Sequence, residues 1–203
     1  MLIKNELIEN RKQIFVLKPL STLLLIAIGF NSYLASPTQS QFGILILMGL
    51  IFCFGGDMAL MFPQNKKAFR LGLGLFLTAH IIYATAFLQL GQLSYWDLLS
   101  YSFLIFIGAS FYRMIHHNLG DMKISVIAYI IIITIMVGSA GSVWWTYQSN
   151  PNHAAMIFSG ALLFYSSDLI LAANRFWNPW KYNRLSLAFY YCGQLLIALS
   201  LKF

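Results

Sequence analysis

The chain has 203 residues, of which 59% are hydrophobic and 9% are charged, and its mean hydropathy is +0.71. A water-soluble fold cannot bury so much apolar surface, so the composition excludes a soluble domain and predicts a polytopic integral membrane protein. The net charge of +7 does not indicate a nucleic-acid partner, because the basic residues lie at the ends of apolar runs, where they set membrane orientation.

The apolar runs predict an all-α bundle of about seven transmembrane helices. A polar N-terminal arm, 1–13, precedes a single membrane domain, 14–203. Short polar turns separate the runs, and each run is long enough to cross a bilayer. The predicted spans, in chain order, are 14–34, 42–62, 69–90, 95–115, 122–147, 153–174 and 185–201. Membrane helices therefore account for almost the whole chain.

Lysine and arginine gather on one side of the predicted membrane, the side that carries the N-terminus. Twelve of the 13 lie on that side, and only Lys202 lies opposite. Because basic residues accumulate in cytoplasmic loops, the N-terminus is predicted to be cytoplasmic and the C-terminus external. The expected location is the bacterial inner membrane.

Two carboxylates, Asp57 and Asp168, lie inside apolar runs, and no other acidic residue is placed at membrane depth by the sequence. They stand nine and seven residues before Lys66 and Arg175, which gives depths of roughly 13 Å and 10 Å. Burying a charge in lipid is costly, and these spans are predicted to lack a buried basic partner. The two acids are therefore predicted to be functional and to share one level.

Other polar side chains fall in the same layer of the predicted bundle. His80 and Tyr83 are three residues apart, and Tyr190 and Gln194 are four apart with Tyr191 beside them, so each set shares a helix face. These five side chains are the candidates for contact with a substrate at the level of the acids.

Five short patterns resemble the lysoplasmalogenase family, also called YhhN-like. They are Lys18-Pro19-Leu20, Gly56-Asp57 with Leu60, Ala79-His80 with Tyr83, Ser167-Asp168, and Tyr190-Tyr191 with Gln194 and Ser200. They occur in the family's order and cover almost the whole chain. The family usually has eight spans, whereas seven are predicted here. The resemblance implies hydrolysis of the vinyl-ether bond of lysoplasmalogens, which gives a fatty aldehyde and glycerophospho-ethanolamine or glycerophospho-choline.

The two acids fit this chemistry, which needs a proton donor and an anion. Two carboxylates in a poorly solvated site should not both ionise, so Asp57 and Asp168 are predicted to act together as general acid and base. A lysophospholipid keeps its phosphate at the interface and its vinyl ether a few bonds deeper. One cavity, open to the cytoplasmic leaflet and rimmed by Lys18 and Arg175, is therefore expected to hold both acids with His80 and Tyr190.

A proton-coupled membrane transporter is the main alternative, because it would also bury acidic residues. Its usual sequence signs, a repeat of two halves and paired broken helices, are not found. An intramembrane aspartyl protease would need glycine where Phe54 stands.

No metal or cofactor is expected, because His80 is the one histidine at the level of the acids. Cys53 and Cys192 lie in apolar runs and are predicted to be buried, unpaired thiols. The expected partners are the lipid substrate and the surrounding membrane lipids.

The charge distribution yields a first prediction, on topology. A reporter fused after Phe203 should be external, and a reporter in the loop at Lys66-Lys67 should be cytoplasmic. Labelling intact and permeabilised cells from outside measures both positions. The reverse labelling would overturn the predicted orientation.

Overall fold

Seven α-helices make up the fold in the computed structural model, which describes residues 11–36, 41–62, 65–92, 94–147, 149–178 and 185–203. No strand occurs within these ranges. The helices are α1 Arg11–Ala35, α2 Gln41–Leu60, α3 Lys66–Leu88, α4 Tyr95–Ile115, α5 Lys123–Thr146, α6 Pro151–Phe176 and α7 Leu185–Ser200. Two single 3₁₀ turns, His116–Asn118 and Gly120–Met122, connect α4 to α5.

The helices confirm the predicted all-α membrane bundle, and their ends fall within three residues of the predicted spans. By length and composition, α1 to α6 can each cross a bilayer, whereas α7 has 16 residues. Helix α1 begins at Arg11, and its apolar stretch that can span a membrane is Ile14–Ala35. Residues 1–10 of the predicted polar arm lie outside the described residues.

The short helix α7 nevertheless runs from one end of the bundle to the other. It begins after the end of α6, and beyond its last turn the carbonyl of Phe203 accepts a hydrogen bond from Asn150 at the start of α6 (3.4 Å). Sixteen helical residues extend about 24 Å, and the residues after Ser200 lengthen the element further. The seven helices thus alternate in direction, as predicted.

Contacts between loops define the end of the bundle that carries the basic residues. Phe15 of α1 packs edge-on against Phe62, just after α2, with ring centroids 5.6 Å apart. Arg70 forms an ion pair with Asp121 in the loop before α5. Asn118 in the same loop donates to the carbonyl of Phe176 at the end of α6 (2.7 Å). The start of α1 therefore lies at the same end of the bundle as the loops that the charge pattern grouped together.

Six helices form a closed ring in which each packs against the next, in the order α1, α2, α3, α5, α6, α7 and back to α1. Helices α2 and α7 also touch across this ring. Helix α4 packs on the outside of α5, and most of its surface is exposed. The polar side chains of α1, α2, α3, α5, α6 and α7 can therefore meet inside the ring.

Helix starts are set by side chains that accept the free N–H groups of the first turn. The Asn65 side chain caps α3 by accepting from Lys67 N (2.9 Å) and Ala68 N (3.2 Å). Asn150 caps α6 by accepting from His153 N (3.1 Å), and Pro151 occupies the first turn. These polar residues, rather than the apolar pattern, decide where the two helices begin.

Helices α6 and α7 approach each other closely at two facing glycines, Gly160 and Gly193. A Cβ atom at Gly193 would lie 2.7 Å from the Gly160 carbonyl oxygen and 3.0 Å from the Phe164 amide nitrogen. Backbone atoms cannot rotate away as a side chain can. Small residues at both positions are therefore required for the two helices to pack, as in many membrane helix pairs.

Alanine at Gly193 should weaken the bundle. Because its methyl group would collide with backbone, we expect Gly193→Ala to lower the free energy of unfolding by about 1–3 kcal/mol. Gly74→Ala is the matched control, since a Cβ atom there meets no atom within 4 Å. Thermal melting of the purified protein in detergent measures both. Equal melting temperatures for the two variants would contradict this packing.

Candidate active site

The carboxylate of Asp57 lies at the junction of α1, α2 and α7 and is 2% exposed. Its Oδ1 atom is 3.5 Å from the Nζ atom of Lys18. Its Oδ2 atom accepts hydrogen bonds from the hydroxyls of Thr22 (2.8 Å) and Tyr190 (2.9 Å). Both oxygens of this carboxylate therefore have partners inside the bundle.

The position of Lys18 corrects the sequence-based expectation in two respects. Lys18 is 8% exposed, so it does not lie at the rim of the cavity. It pairs with Asp57, so the buried basic partner that the spans were predicted to lack is present. It lies two turns into α1, about 10 Å from the start of that helix at Arg11. Its spacing of four from Thr22 places both on the face that meets α2. Residue spacing within α1 could have suggested this pair.

Asp57 and Asp168 lie at different distances from the ends of their helices. Helix α2 ends at Leu60, so Asp57 lies in its last turn, about 5 Å from the helix end. Asp168 lies eight residues before the end of α6 at Phe176, or about 12 Å along that helix. A carboxylate in the last helical turn faces unfavourable carbonyl dipoles, and the Lys18 ammonium offsets them.

Asp168 occupies a second polar cluster, formed by α3, α5 and α6. Its Oδ2 atom accepts a hydrogen bond from the hydroxyl of Tyr129 (2.6 Å). The same oxygen is 3.5 Å from Nε2 of His80, whose side chain is fully buried. The His80 ring packs edge-on against the rings of Tyr129 (centroids 5.2 Å apart) and Phe164 (4.7 Å). Within the described part of the chain, the Asp168 carboxyl group accepts one hydrogen bond, and the acceptor is Oδ2.

A cavity that is open at one side adjoins Asp168. Arg175 also lines it, two helical turns closer to the basic end of the bundle, and its guanidinium lies 4.9 Å from the ring centroid of Phe69. The remaining lining is almost entirely apolar and comes from α2 to α6: Leu60, Phe69, Leu73, Phe76, Gly108, Phe111, Val126, Tyr129, Ile130, Ile133, Tyr165, Leu169, Leu171, Ala172 and Phe176. The cavity is therefore largely apolar, with one carboxyl group and one guanidinium in its lining.

The predicted single cavity with both acids is therefore corrected. Asp168 and Arg175 line the cavity, whereas Asp57, His80, Tyr190 and Lys18 do not. Within the described residues, no hydrogen bond or ion pair joins the two carboxylates. Asp57 and Asp168 therefore stand in separate polar clusters, because each carboxylate has partners of its own.

Aromatic rings fill the space between the two acid clusters. The Tyr190 ring packs edge-on against Phe76 (centroids 5.8 Å apart) and Phe164 (5.2 Å), and Phe164 in turn packs on His80. Tyr190 therefore contacts Asp57 through its hydroxyl and, through its ring, the apolar wall behind the Asp168 cluster.

Tyr83 and Gln194, two of the predicted substrate contacts, are fully buried and bonded to each other (2.9 Å). The Gln194 amide also donates to the sulfur of Cys53 (3.0 Å). Neither residue lines the cavity. Tyr191 packs against the ring of Tyr190 (centroids 5.0 Å apart) and is likewise absent from the lining. In this structure, these residues therefore form buried contacts with one another outside the cavity lining.

Several polar residues escaped the sequence analysis. Thr22 and Tyr129, which bond the two acids, carry no recognisable motif. Asp97 is, with Asp57, a second buried carboxylate, at the end of the bundle away from the basic loops, where it accepts from Ser94 N (2.5 Å) and the Ser142 hydroxyl (2.6 Å). Its spacing of three from Ser94 is a helix-capping signature that the sequence does contain.

The cysteines are as predicted at one position and different at the other. Cys53 is a buried free thiol, whereas Cys192 is exposed on the outer surface of α7. Within the described ranges, no three His, Cys, Asp or Glu side chains are grouped closely enough to hold a metal ion.

Comparison with known proteins identifies relatives over nearly the full chain. The YhhN family model matches residues 13–201. Lysoplasmalogenase TMEM86A of Bos taurus is 31% identical over 194 residues, which is 88% of this chain and 72% of that protein. The human TMEM86A has the same identity and coverage. The uncharacterized membrane protein YhhN of Escherichia coli O157:H7 is 26% identical over 190 residues, 93% of this chain and 87% of that protein. No solved structure matches the chain.

The ion pair between Lys18 and Asp57 yields a prediction on stability. Asp57→Asn leaves a buried ammonium without its counter-charge, so we expect the free energy of unfolding to fall by about 3–5 kcal/mol. The double variant Lys18→Met with Asp57→Asn removes both charges and should recover most of that loss. Melting in detergent compares the variants. A stable single variant, or a double variant no more stable than the single, would show that the pair does not stabilise the bundle.

Proposed function

The chain belongs to the YhhN family, and on that premise we propose that it hydrolyses the vinyl-ether bond of lysoplasmalogens. The products would be a fatty aldehyde and glycerophospho-ethanolamine or glycerophospho-choline. Relatives from cattle and human that are named lysoplasmalogenase support this substrate class. As an integral membrane protein, the chain meets such a lipid within the bilayer.

The observation that carries the proposal is the pairing of Asp168 and Arg175 in one apolar cavity. Seven residues of α6 separate them, so they lie about 10 Å apart along the helix. A lysoplasmalogen has the same order of groups, with a phosphate at the interface and a vinyl ether a few bonds deeper. Arg175 suits a phosphate, because its guanidinium offers paired donors, and the apolar wall suits the hydrocarbon chain.

The reaction would start with proton transfer from the Asp168 carboxyl group to the outer carbon of the vinyl ether. The carbon–carbon double bond supplies the electron pair, and an oxocarbenium ion forms beside the newly charged carboxylate. That carboxylate stabilises the cation at short range in a site that excludes bulk water. Asp168 has one oxygen available for this transfer, because its hydrogen bond from Tyr129 is on Oδ2.

Water would then add to the oxocarbenium carbon and complete the hydrolysis. As the carbon–oxygen bond forms, the water gives one proton to the Asp168 carboxylate, which restores the acid. The hemiacetal that results then breaks its bond to the glycerol oxygen: its hydroxyl group loses a proton and becomes the aldehyde carbonyl, and the glycerol oxygen gains a proton in exchange. His80 lies outside the cavity lining, 3.5 Å from Oδ2 of Asp168, and packs behind the acid. No step requires a metal or an organic cofactor.

Asp57 has a different place in this proposal from the one that the sequence suggested. Its oxygens are engaged by Lys18, Thr22 and Tyr190, and it does not line the cavity. We therefore assign the proton transfer to Asp168 alone. Asp57 would serve by joining α1, α2 and α7 and by fixing Tyr190 behind the cavity.

Asparagine at position 168 should abolish turnover while preserving the shape of the side chain. Because a general acid is lost, we expect activity to fall by about two or more orders of magnitude. The assay incubates purified protein in detergent with lysoplasmalogen and measures free aldehyde by mass spectrometry. Asp97→Asn is the matched control, since Asp97 is also a buried carboxylate but lies at the other end of the bundle.

Two results would contradict the proposal. One is a wild-type protein that releases no aldehyde across a range of pH and lipid composition, which would favour transport of a solute. The other is an Asp168→Asn variant that remains folded and turns over at a normal rate.

A further inference from the structure

We propose that Tyr129 is a positioning residue for this reaction, which holds the Asp168 carboxyl group so that its second oxygen faces the substrate. The inference rests on the proposed function and names a residue that the family resemblance does not mark. Tyr129 lines the same cavity as Asp168, and its hydroxyl donates to Oδ2 over 2.6 Å.

A carboxyl group needs a second contact to hold its plane. The terminal torsion of an aspartate side chain has a broad, two-fold energy profile, so its two oxygens exchange places easily when nothing binds them. The Tyr129 hydrogen bond from α5 fixes Oδ2. His80, on α3, lies on the same side at 3.5 Å from Oδ2 and packs against the Tyr129 ring. The arrangement leaves Oδ1 as the oxygen that can meet substrate.

The same hydrogen bond would also favour the transition state over the bound substrate. As the proton moves from Oδ1 to the alkene carbon, negative charge develops on the carboxyl group. A hydrogen bond to an ionised acceptor is roughly twice as strong as one between neutral groups. The Tyr129 contact therefore strengthens as the reaction proceeds, and Tyr129 keeps its own proton throughout. Such an interaction raises kcat and has little effect on KM.

Neighbouring residues restrict Tyr129 to this role. The Tyr129 ring packs edge-on against the His80 ring, with the two ring planes at 82°, and the Tyr129 hydroxyl donates its hydrogen bond to Asp168. The other charged group of the cavity, Arg175, lies two turns away along α6. The Tyr129 hydroxyl is thus placed to bind the acid rather than the phosphate of a lipid.

The test compares Tyr129→Phe with Tyr101→Phe. Tyr101 is the matched control because its hydroxyl also contacts α5, within 3.4 Å of the Ile135 carbonyl and the Ser139 hydroxyl, but lies outside the cavity lining. Steady-state kinetics with lysoplasmalogen should show a kcat for Tyr129→Phe that is about 10- to 100-fold lower, with KM changed little, as expected for a lost hydrogen bond to a charged group. Tyr101→Phe should keep both constants near their wild-type values.

Infrared spectroscopy supplies a readout that needs no turnover. The carboxyl stretching band that Asp168→Asn removes should shift in Tyr129→Phe and stay in place in Tyr101→Phe. An unshifted band would overturn the inference, and so would a shifted band with unchanged kcat. A wild-type protein without aldehyde release, whatever the band does, overturns the proposed function and the catalytic role of Tyr129 with it.

Discussion

Lipid offers no hydrogen-bond partner to an acidic side chain, so the acids of this bundle are bonded within the protein. That constraint explains the pairing of the buried acids: Asp57 with a lysine, Asp168 with a tyrosine beside a histidine, and Asp97 with a serine and a helix start. The ring of six helices follows from the same constraint. Each acid is satisfied from at least one neighbouring helix, so the polar contacts fix which helices meet.

Asp57 and Asp168 have different partners, and these partners determine which chemistry each carboxyl group can perform. The Asp57 carboxyl group has partners at both oxygens, Lys18 at one and the hydroxyls of Thr22 and Tyr190 at the other, and it does not line the cavity. A carboxyl group with a phenol on one oxygen and a cavity beside it can hold a proton and deliver it. Vinyl-ether hydrolysis needs the second kind, because carbon protonation is its first step. One acid can serve as donor and then as acceptor, so a contact pair of acids is not required.

The amino-acid sequence predicts the helices well and the partners of the acids poorly. Apolar runs and basic loops were sufficient to locate seven helices and to group their ends, since both depend on local composition. The burial of Asp57 and His80 and the half-buried position of Asp168 agree with their place in apolar runs. What local composition does not specify is helix rotation, which turned Lys18 inward and Cys192 outward. The roles of Thr22 and Tyr129 depend on which helices become neighbours, and no short pattern records that.

The central claim is that a lysolipid lies along α6 with its phosphate at Arg175 and its ether group at Asp168. A structure of the protein with a saturated ether lysophospholipid tests this claim most directly, because that lipid lacks the double bond and cannot be protonated and cleaved. The account predicts phosphate oxygens within hydrogen-bond distance of the Arg175 guanidinium, and the ether oxygen and its neighbouring chain carbon next to Oδ1 of Asp168. A lipid bound with its ether group beside Asp57, or with Asp168 out of contact, would contradict it.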